Sequence, residues 1–227
     1  MKRLAGLFLL VLPLTIFAQQ YSYHPDSTRS QKQPHHSIGI GVMAGFNFAN
    51  VTNASAINAS TRAGYHFGLF FAPDSKRILG SRTELLYSRR GYNYKSDTGS
   101  GAVNLDYIML TQMMAFHITK YFEIDLGGYT AYLLGAKDDS MSKALAGTPY
   151  AGYSSLLSFY NRFDYGFGVG AEVHPVLGVL IGVRYQLSFS NLMKSYSSFG
   201  QNPSGTPYSS GLNLKNNVIM ISVGYRF

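Results

Sequence analysis

Val218-Ile-Met-Ile-Ser-Val-Gly-Tyr-Arg-Phe227 closes the chain and decides how the rest is read. Ile219, Ile221, Val223, Tyr225 and Phe227 form one wholly apolar face that ends in aromatic rings. Val218, Met220, Ser222, Gly224 and Arg226 form the other face, which is mixed and ends in a charge. Strict period two with one unbroken apolar face is the pattern of a strand standing between lipid and a filled lumen. Such a strand predicts an outer-membrane β-barrel, with Tyr225 and Phe227 marking a C-terminal assembly strand for the barrel-assembly machinery. Gly224 stands three residues before Phe227, nearer than in the commonest proteobacterial assembly signal.

The opposite end carries a different signal. Met1-Lys2-Arg3 is basic, and Leu4 to Phe17 is apolar apart from Gly6, Pro13 and Thr15. A helix needs about 20 apolar residues to span a bilayer. The stretch therefore reads as a signal peptide, residues 1–18, cleaved after Ala18. Residues 19–37 are polar, contain Pro25 and Pro34, and read as a flexible periplasmic segment. Residues 38–227 are then the barrel, about one domain by length. The chain has no cysteine, which excludes disulfides and a Cys-linked lipid. Its net charge of +8 falls to +6 without Lys2 and Arg3. Export directs that charge toward lipid phosphates, and no nucleic acid partner is expected. With 18 Tyr, 15 Phe and 24 Gly but only 13% charged residues, the composition is too aromatic and too sparsely charged for an average soluble domain.

Seven further alternating segments precede the last one. The first, Ile38–Phe48, sets Ile38, Ile40, Val42, Ala44, Phe46 and Phe48 against glycines, Met43 and Asn47. The second, Ala63–Ala72, points Tyr65, Phe67, Leu69 and Phe71 outward, with Gly64, His66, Gly68 and Phe70 inward. In the third, Leu79–Tyr94, Thr83, Leu85 and Tyr87 oppose Arg82, Glu84 and Leu86. The fourth, Leu105–Thr119, is apolar on both faces, and its best register turns Gln112 toward lipid. In the fifth, Tyr121–Gly135, Phe122, Ile124, Leu126, Thr130, Tyr132 and Leu134 face outward, and Glu123, Asp125, Tyr129 and Leu133 inward. The sixth, Phe163–Val173, turns Asp164, Gly166, Gly168, Gly170 and Glu172 inward. The seventh sets Val179 through Phe189 against Gly182, Arg184, Gln186, Ser188 and Ser190.

Connections alternate between short turns (73–77, around Lys120, and 174–175) and longer Ser-, Gly-, Asn- and Tyr-rich stretches (49–62, 95–104, 136–160 and 191–215). Short turns on one rim and long loops on the other belong to outer-membrane barrels. A soluble sandwich or lipocalin-like barrel would bury its apolar face and expose the polar one. Here glycine and charge dominate the faces opposite the apolar ones, which is too little volume for a dry core. The predicted fold is all-β: an eight-stranded antiparallel up-and-down transmembrane β-barrel.

Gly41-Val-Met-Ala-Gly-Phe-Asn-Phe-Ala-Asn50, Glu84-Leu-Leu-Tyr-Ser88, Gly128-Tyr-Thr-Ala-Tyr-Leu-Leu-Gly-Ala-Lys137 and Ser222-Val-Gly-Tyr-Arg-Phe227 occur in this order. Together they resemble the PorT-like, porin-family outer-membrane barrels of Bacteroidetes. The resemblance covers about residues 38–227 and implies an eight-stranded barrel. Family members tend to carry an inward Glu and Lys on the fourth strand; the matching positions here are Met109 and Ala115, so that ion pair is not expected. The family's namesake is tied to protein secretion across the outer membrane, while most members have no defined role.

A barrel of eight strands has an interior that side chains can fill. The inward charges, Arg82, Glu84, Arg90, Glu123, Asp125, Asp164, Glu172, Arg184 and Arg226, predict a charge-balanced network that plugs it. The competing use of such a lumen is a small solute pore. His66 and His117 invite a metal-pair or general-base reading but stand singly on their strands, so they read as lumen hydrogen-bonding residues. His35-His36 reads as incidental metal affinity, and the triplets at Asn53 and Asn58 as loop composition. Small barrels include lipid-modifying enzymes, yet His117-Ile-Thr119 and the loop serines assemble no nucleophile, base and orienter. No catalytic residue, metal site or cofactor is assigned. Arg89, Arg90 and Lys95, with Lys137, Lys143, Lys194 and Lys215 beyond them, fall near the long-loop rim, where outer-membrane lipid and lipopolysaccharide phosphates would meet them. Tyr150, Tyr153, Tyr160, Tyr196 and Tyr208 make loops 136–160 and 191–215 the expected surface for protein partners.

Overall fold

The computed structural model describes residues 39–52, 59–73, 78–96, 99–138, 157, 160–193 and 214–227. Eight strands run in chain order: β1 (Ile40–Thr52), β2 (Ser60–Phe71), β3 (Leu79–Ser96), β4 (Gly99–Thr119), β5 (Phe122–Asp138), β6 (Phe163–Val173), β7 (Val179–Ser188) and β8 (Lys215–Arg226). Each pairs antiparallel with its neighbour in sequence, and β8 pairs with β1 from Gly41↔Arg226 to Thr52↔Lys215. The sheet is a closed barrel, so no edge strand is left with unpaired backbone groups. The expected signal peptide (1–18) and leading segment (19–37) lie outside the described residues.

The two faces separate as the alternation predicts. On β8, Ile219, Ile221, Val223 and Tyr225 are exposed while Val218, Met220, Ser222 and Gly224 are buried. The same row continues around the outside through Phe46, Phe67, Leu69, Leu85, Leu134, Val169 and Val183. Aromatic rings gather at two levels of that outer wall. Tyr225 packs edge-on to Phe227 at 5.3 Å near the short turns, where Lys120 Nζ sits 4.6 Å from the Tyr121 ring centre. Toward the other rim, Phe67 lies 5.2 Å from Tyr87, and Tyr132 meets Phe163 at 5.1 Å. Two aromatic girdles bracketing an apolar band fit the two interfaces of a membrane.

The fourth strand resolves as its awkward register predicts. Gln112 does face outward, and Thr83 Oγ1 donates to its Oε1 at 2.6 Å. The amide oxygen is satisfied by its cross-strand partner, which lowers the cost of one polar residue on the apolar wall. Inward, Leu86, Tyr107, Met109, Met113 and Leu133 give the lumen more apolar volume than the glycine-rich faces suggested.

One loop assignment is overturned. The described residues of the stretch 95–104 are strand and not loop: β3 and β4 pair without a break out to Ser96↔Gly99. A barrel strand needs about 9–11 residues to cross the bilayer, whereas β3 has 18 and β4 has 21. The surplus is a hairpin standing beyond the apolar band. Its outward residues meet water, so the apolar row stops although the strand does not, and composition alone mimics a loop. Arg62 clasps the hairpin from β2, donating to Asn104 Oδ1 (2.8 Å) and Asn93 Oδ1 (3.0 Å). Two other long connections, 49–62 and 136–160, are also shortened by strand extension, with β1 reaching Thr52 and β5 reaching Asp138. On the opposite rim the β6–β7 turn closes through Gly178, whose φ of +83° favours glycine.

Candidate functional site: a lumen crossed by ion pairs

Alternation delivers the inward charges to the barrel interior, and the register sorts them into two tiers. The lower tier lies in the half nearest the short turns. Arg82 on β3 donates to Glu172 on β6 and to Glu123 on β5, with Asp125 Oδ2 3.7 Å and Glu84 Oε1 3.9 Å from its Nη1. Arg184 on β7 reaches across to β3 and grips Glu84 through both terminal nitrogens, at 2.5 and 2.7 Å. Its Nη2 also stands 3.7 Å from Glu172 Oε1. All six groups are buried. Gly182 makes this tier fit: a Cβ there would come within 2.7 Å of Glu172 Cγ.

The upper tier is built around Arg90. Its Nη2 donates to Gln186 Oε1 at 2.6 Å, its Nη1 lies 3.8 Å from Asp164, and its guanidinium faces the rings of Tyr107 and Tyr129. Asp164 also accepts from Ser188, from Ser190 at 2.6 Å and from Asn216 at 3.2 Å. Between the tiers His66 bridges Asn47 Oδ1 (2.8 Å) and Ser222 Oγ (2.9 Å). Above Arg90, the hydroxyls of Tyr92 and Tyr160 meet at 2.7 Å.

Eight of the nine expected lumen charges therefore enter the two tiers. Arg226 does not; it is half-buried at the short-turn mouth, where its backbone N donates to Gly178 O at 2.7 Å. Charge is also not balanced along the axis. The lower tier sets four carboxylates against two guanidiniums, while the upper tier pairs Arg90 with Asp164.

Three further expectations need correction. Arg90 is no part of a lipopolysaccharide rim, because it sits fully buried in the lumen. Period two makes this unavoidable: Arg89 and Arg90 are adjacent, so only one can face outward. Arg89 is the outward one, paired through two hydrogen bonds to Asp106 (2.6 and 3.2 Å) and lying over the Tyr65 ring. Lys95 is exposed on the projecting hairpin. Tyr160 is not an exposed loop tyrosine either; it is buried and bridges to Met193. Tyr150, Tyr153, Tyr196 and Tyr208, with Lys143 and Lys194, lie outside the described residues. Finally, His117 is not alone, since it shares Glu123 with His174 at the short-turn mouth. Counting parity past the end of the sixth strand would have placed His174 on the same side as Glu172.

A closed eight-stranded antiparallel sheet, apolar outside and lined with charge within, is the architecture of a small transmembrane β-barrel. Residues 17–194 match the family model described as outer membrane protein beta-barrel domain, so the chain belongs to that family, and the outer membrane is its place. β8, beyond the matched stretch, completes the ring against β1. Among solved structures, the chain is similar to neisserial surface protein A (17% identity, covering 83% of this chain and 97% of that one, TM-score 0.49). It is also similar to Ail, the attachment invasion locus protein of Yersinia pestis (16%, 83% and 99%, TM-score 0.45). A third similar structure is OprG from Pseudomonas aeruginosa (13%, 85% and 97%, TM-score 0.42). No curated protein matches by sequence.

Proposed function

We propose that this protein is a closed, non-enzymatic outer-membrane barrel that works as a structural or interaction element and does not conduct solutes. The observation that carries this reading is the lower tier. Arg82 ties β3 to β5 and β6 while Arg184 ties β7 back to β3, placing two guanidiniums and four carboxylates across a bore that side chains can fill. Single-channel recording in planar bilayers tests it. The expected record has no stable open level; persistent nanosiemens steps would establish the rival reading of a small pore. Mass spectrometry of lipid A from a deletion strain tests the other rival, a lipid-modifying enzyme, and an unchanged lipid A profile is expected.

The finer assignments rest on the sequence. The ordered motifs from Gly41 to Phe227 support a PorT-like barrel of the Bacteroidetes kind, delivered by the signal peptide at residues 1–18 and serving as an accessory to secretion or envelope assembly. Loops 136–160 and 191–215 are the proposed partner surface. For lipopolysaccharide, the revised rim is Arg89 and Lys95. Because Asp106 already neutralises Arg89, Lys95 supplies most of the free positive charge of this pair. Co-purified lipopolysaccharide should fall in Arg89→Ala/Lys95→Ala; unchanged lipid would remove the rim assignment.

A further inference from the structure

We infer that the short-turn mouth of the lumen is a binding site for one divalent first-row transition ion, Zn²⁺ in the first instance, with His117, Glu123, Glu172 and His174 as ligands. The four residues converge from three strand ends. His117 and Glu123 are register partners across β4 and β5, and Glu123 and Glu172 across β5 and β6. Backbone bonds fix the two histidines: His117 N donates to Ile78 O and His174 N to Tyr121 O, each at 2.8 Å.

Three of the four donors are already gathered near the spacing of a coordination shell. Nε2 of His117 and Nε2 of His174 each stand 3.3 Å from the same oxygen, Glu123 Oε2. Zinc bonds of about 2.0–2.1 Å arranged tetrahedrally give a ligand-to-ligand edge of about 3.3 Å. Donor atoms of Glu123, Glu172 and His174 all lie within 4.8 Å of one another. His117 stands outside that trio, and with its backbone fixed a side-chain rotation would carry Nε2 from Glu123 Oε2 into the shell as the fourth donor.

Hydrogen bonding leaves those atoms available. Arg82 occupies Oε1 of Glu123 and Oε1 of Glu172, so each carboxylate is oriented by one oxygen and keeps the other. Glu172 Oε2 is buried without a hydrogen-bond partner on a side chain only 4% exposed, and His174 Nε2 has only the 3.3 Å approach to Glu123 Oε2. An unmade hydrogen bond at a buried polar atom costs about 1–3 kcal/mol, so native structures usually supply a partner. Arg82 plays the part that outer-shell groups play around metal-binding carboxylates.

Charge points the same way. Glu123 and Glu172 face each other directly across neighbouring strands, a like-charge pair that Arg82 bridges with a single positive charge. The four carboxylates of the lower tier exceed its two guanidiniums, and Arg226 on the wall of the same cavity leaves an anionic excess. Access exists, because His117 and His174 are partly exposed on a cavity with about 30 Å³ open to a water-sized guest. Two imidazoles with two carboxylates suit Zn²⁺, whereas Mg²⁺ and Ca²⁺ favour all-oxygen shells.

The test is calorimetric titration of chelator-stripped full-length barrel, refolded in detergent, with Zn²⁺ and separately with Mg²⁺. A background carrying His24→Ala, His35→Ala and His36→Ala removes the histidines of the leading segment. One Zn²⁺ per chain is expected, without matching Mg²⁺ binding. His174→Ala and His117→Ala should each weaken binding by more than the roughly 10–100-fold loss typical of outer-shell changes. Zn²⁺ should also raise the thermal unfolding midpoint of the background protein and leave that of the His117→Ala/His174→Ala variant unmoved. Heat-modifiable gel mobility verifies that each variant is folded, and both histidine changes spare the Arg82 network. Absence of saturable Zn²⁺ binding, equal binding by the double histidine variant, or equal Mg²⁺ binding would each overturn the inference.

Discussion

Replacing Arg184 by Met removes the guanidinium that grips Glu84 at 2.5 and 2.7 Å. Glu84 has no exposed side-chain surface, and its nearest remaining cation would be Arg82 Nη1 at 3.9 Å. Two unit charges about 4 Å apart interact by about 4 kcal/mol at an effective dielectric of about 20. Breaking a buried pair by removing one partner costs about 3–5 kcal/mol, because the survivor is left uncompensated. Arg82 offsets part of that, so Arg184→Met should destabilise the barrel by about 3 kcal/mol. Adding Glu84→Gln removes the stranded charge, and the double variant should return to within about 1–2 kcal/mol of the parent. The chain has no tryptophan, so urea unfolding in detergent is best followed by heat-modifiable electrophoretic mobility. A single substitution costing below about 1 kcal/mol, or a double variant as unstable as the two singles summed, would refute the coupling that crosses the lumen.

Two other outcomes follow from the outer wall and the last strand. Thr83→Val orphans Gln112 Oε1 on the lipid face and should cost about 1 kcal/mol or more in the same unfolding assay, with Thr83→Val/Gln112→Leu restoring stability. Phe227→Ala removes the ring that packs on Tyr225 at the end of β8, and the heat-modifiable, folded fraction recovered from outer membranes should fall. An unchanged folded yield would show that the terminal aromatic is not part of the assembly signal.

The wall of the barrel is legible in the sequence because lipid imposes a one-residue rule. Every second side chain must be apolar, and Ile219, Ile221, Val223 and Tyr225 obey it without exception. The rule ends where the bilayer ends, which is why the projecting part of β3 and β4 looks like a loop. Beyond the apolar band Tyr92 is buried and Asn93 and Tyr94 are both half-buried, under no demand for an apolar outer face. The lumen is half legible. Parity says which charges point inward, and it separates Arg89 from Arg90, but it does not say who pairs with whom. Arg82 finds Glu172 from 90 residues away because shear and closure set the height of each strand, a quantity that no local pattern encodes. The meeting of His117 with His174 has the same origin: each reads as solitary on its own segment until closure places the short turns on one rim.

Single-cysteine scanning of β8 tests the central claim most directly, because the chain has no cysteine of its own. The two positions to compare are Ile221, exposed on the outer wall, and Ser222, buried beside His66. In bilayers, a thiol at Ile221 should respond to lipid-dissolved probes, while one at Ser222 should resist them and react slowly with membrane-impermeant aqueous thiol reagents applied from either side. Rapid aqueous labelling at Ser222 would contradict the closed lumen, and equal lipid accessibility at both positions would contradict the barrel wall itself.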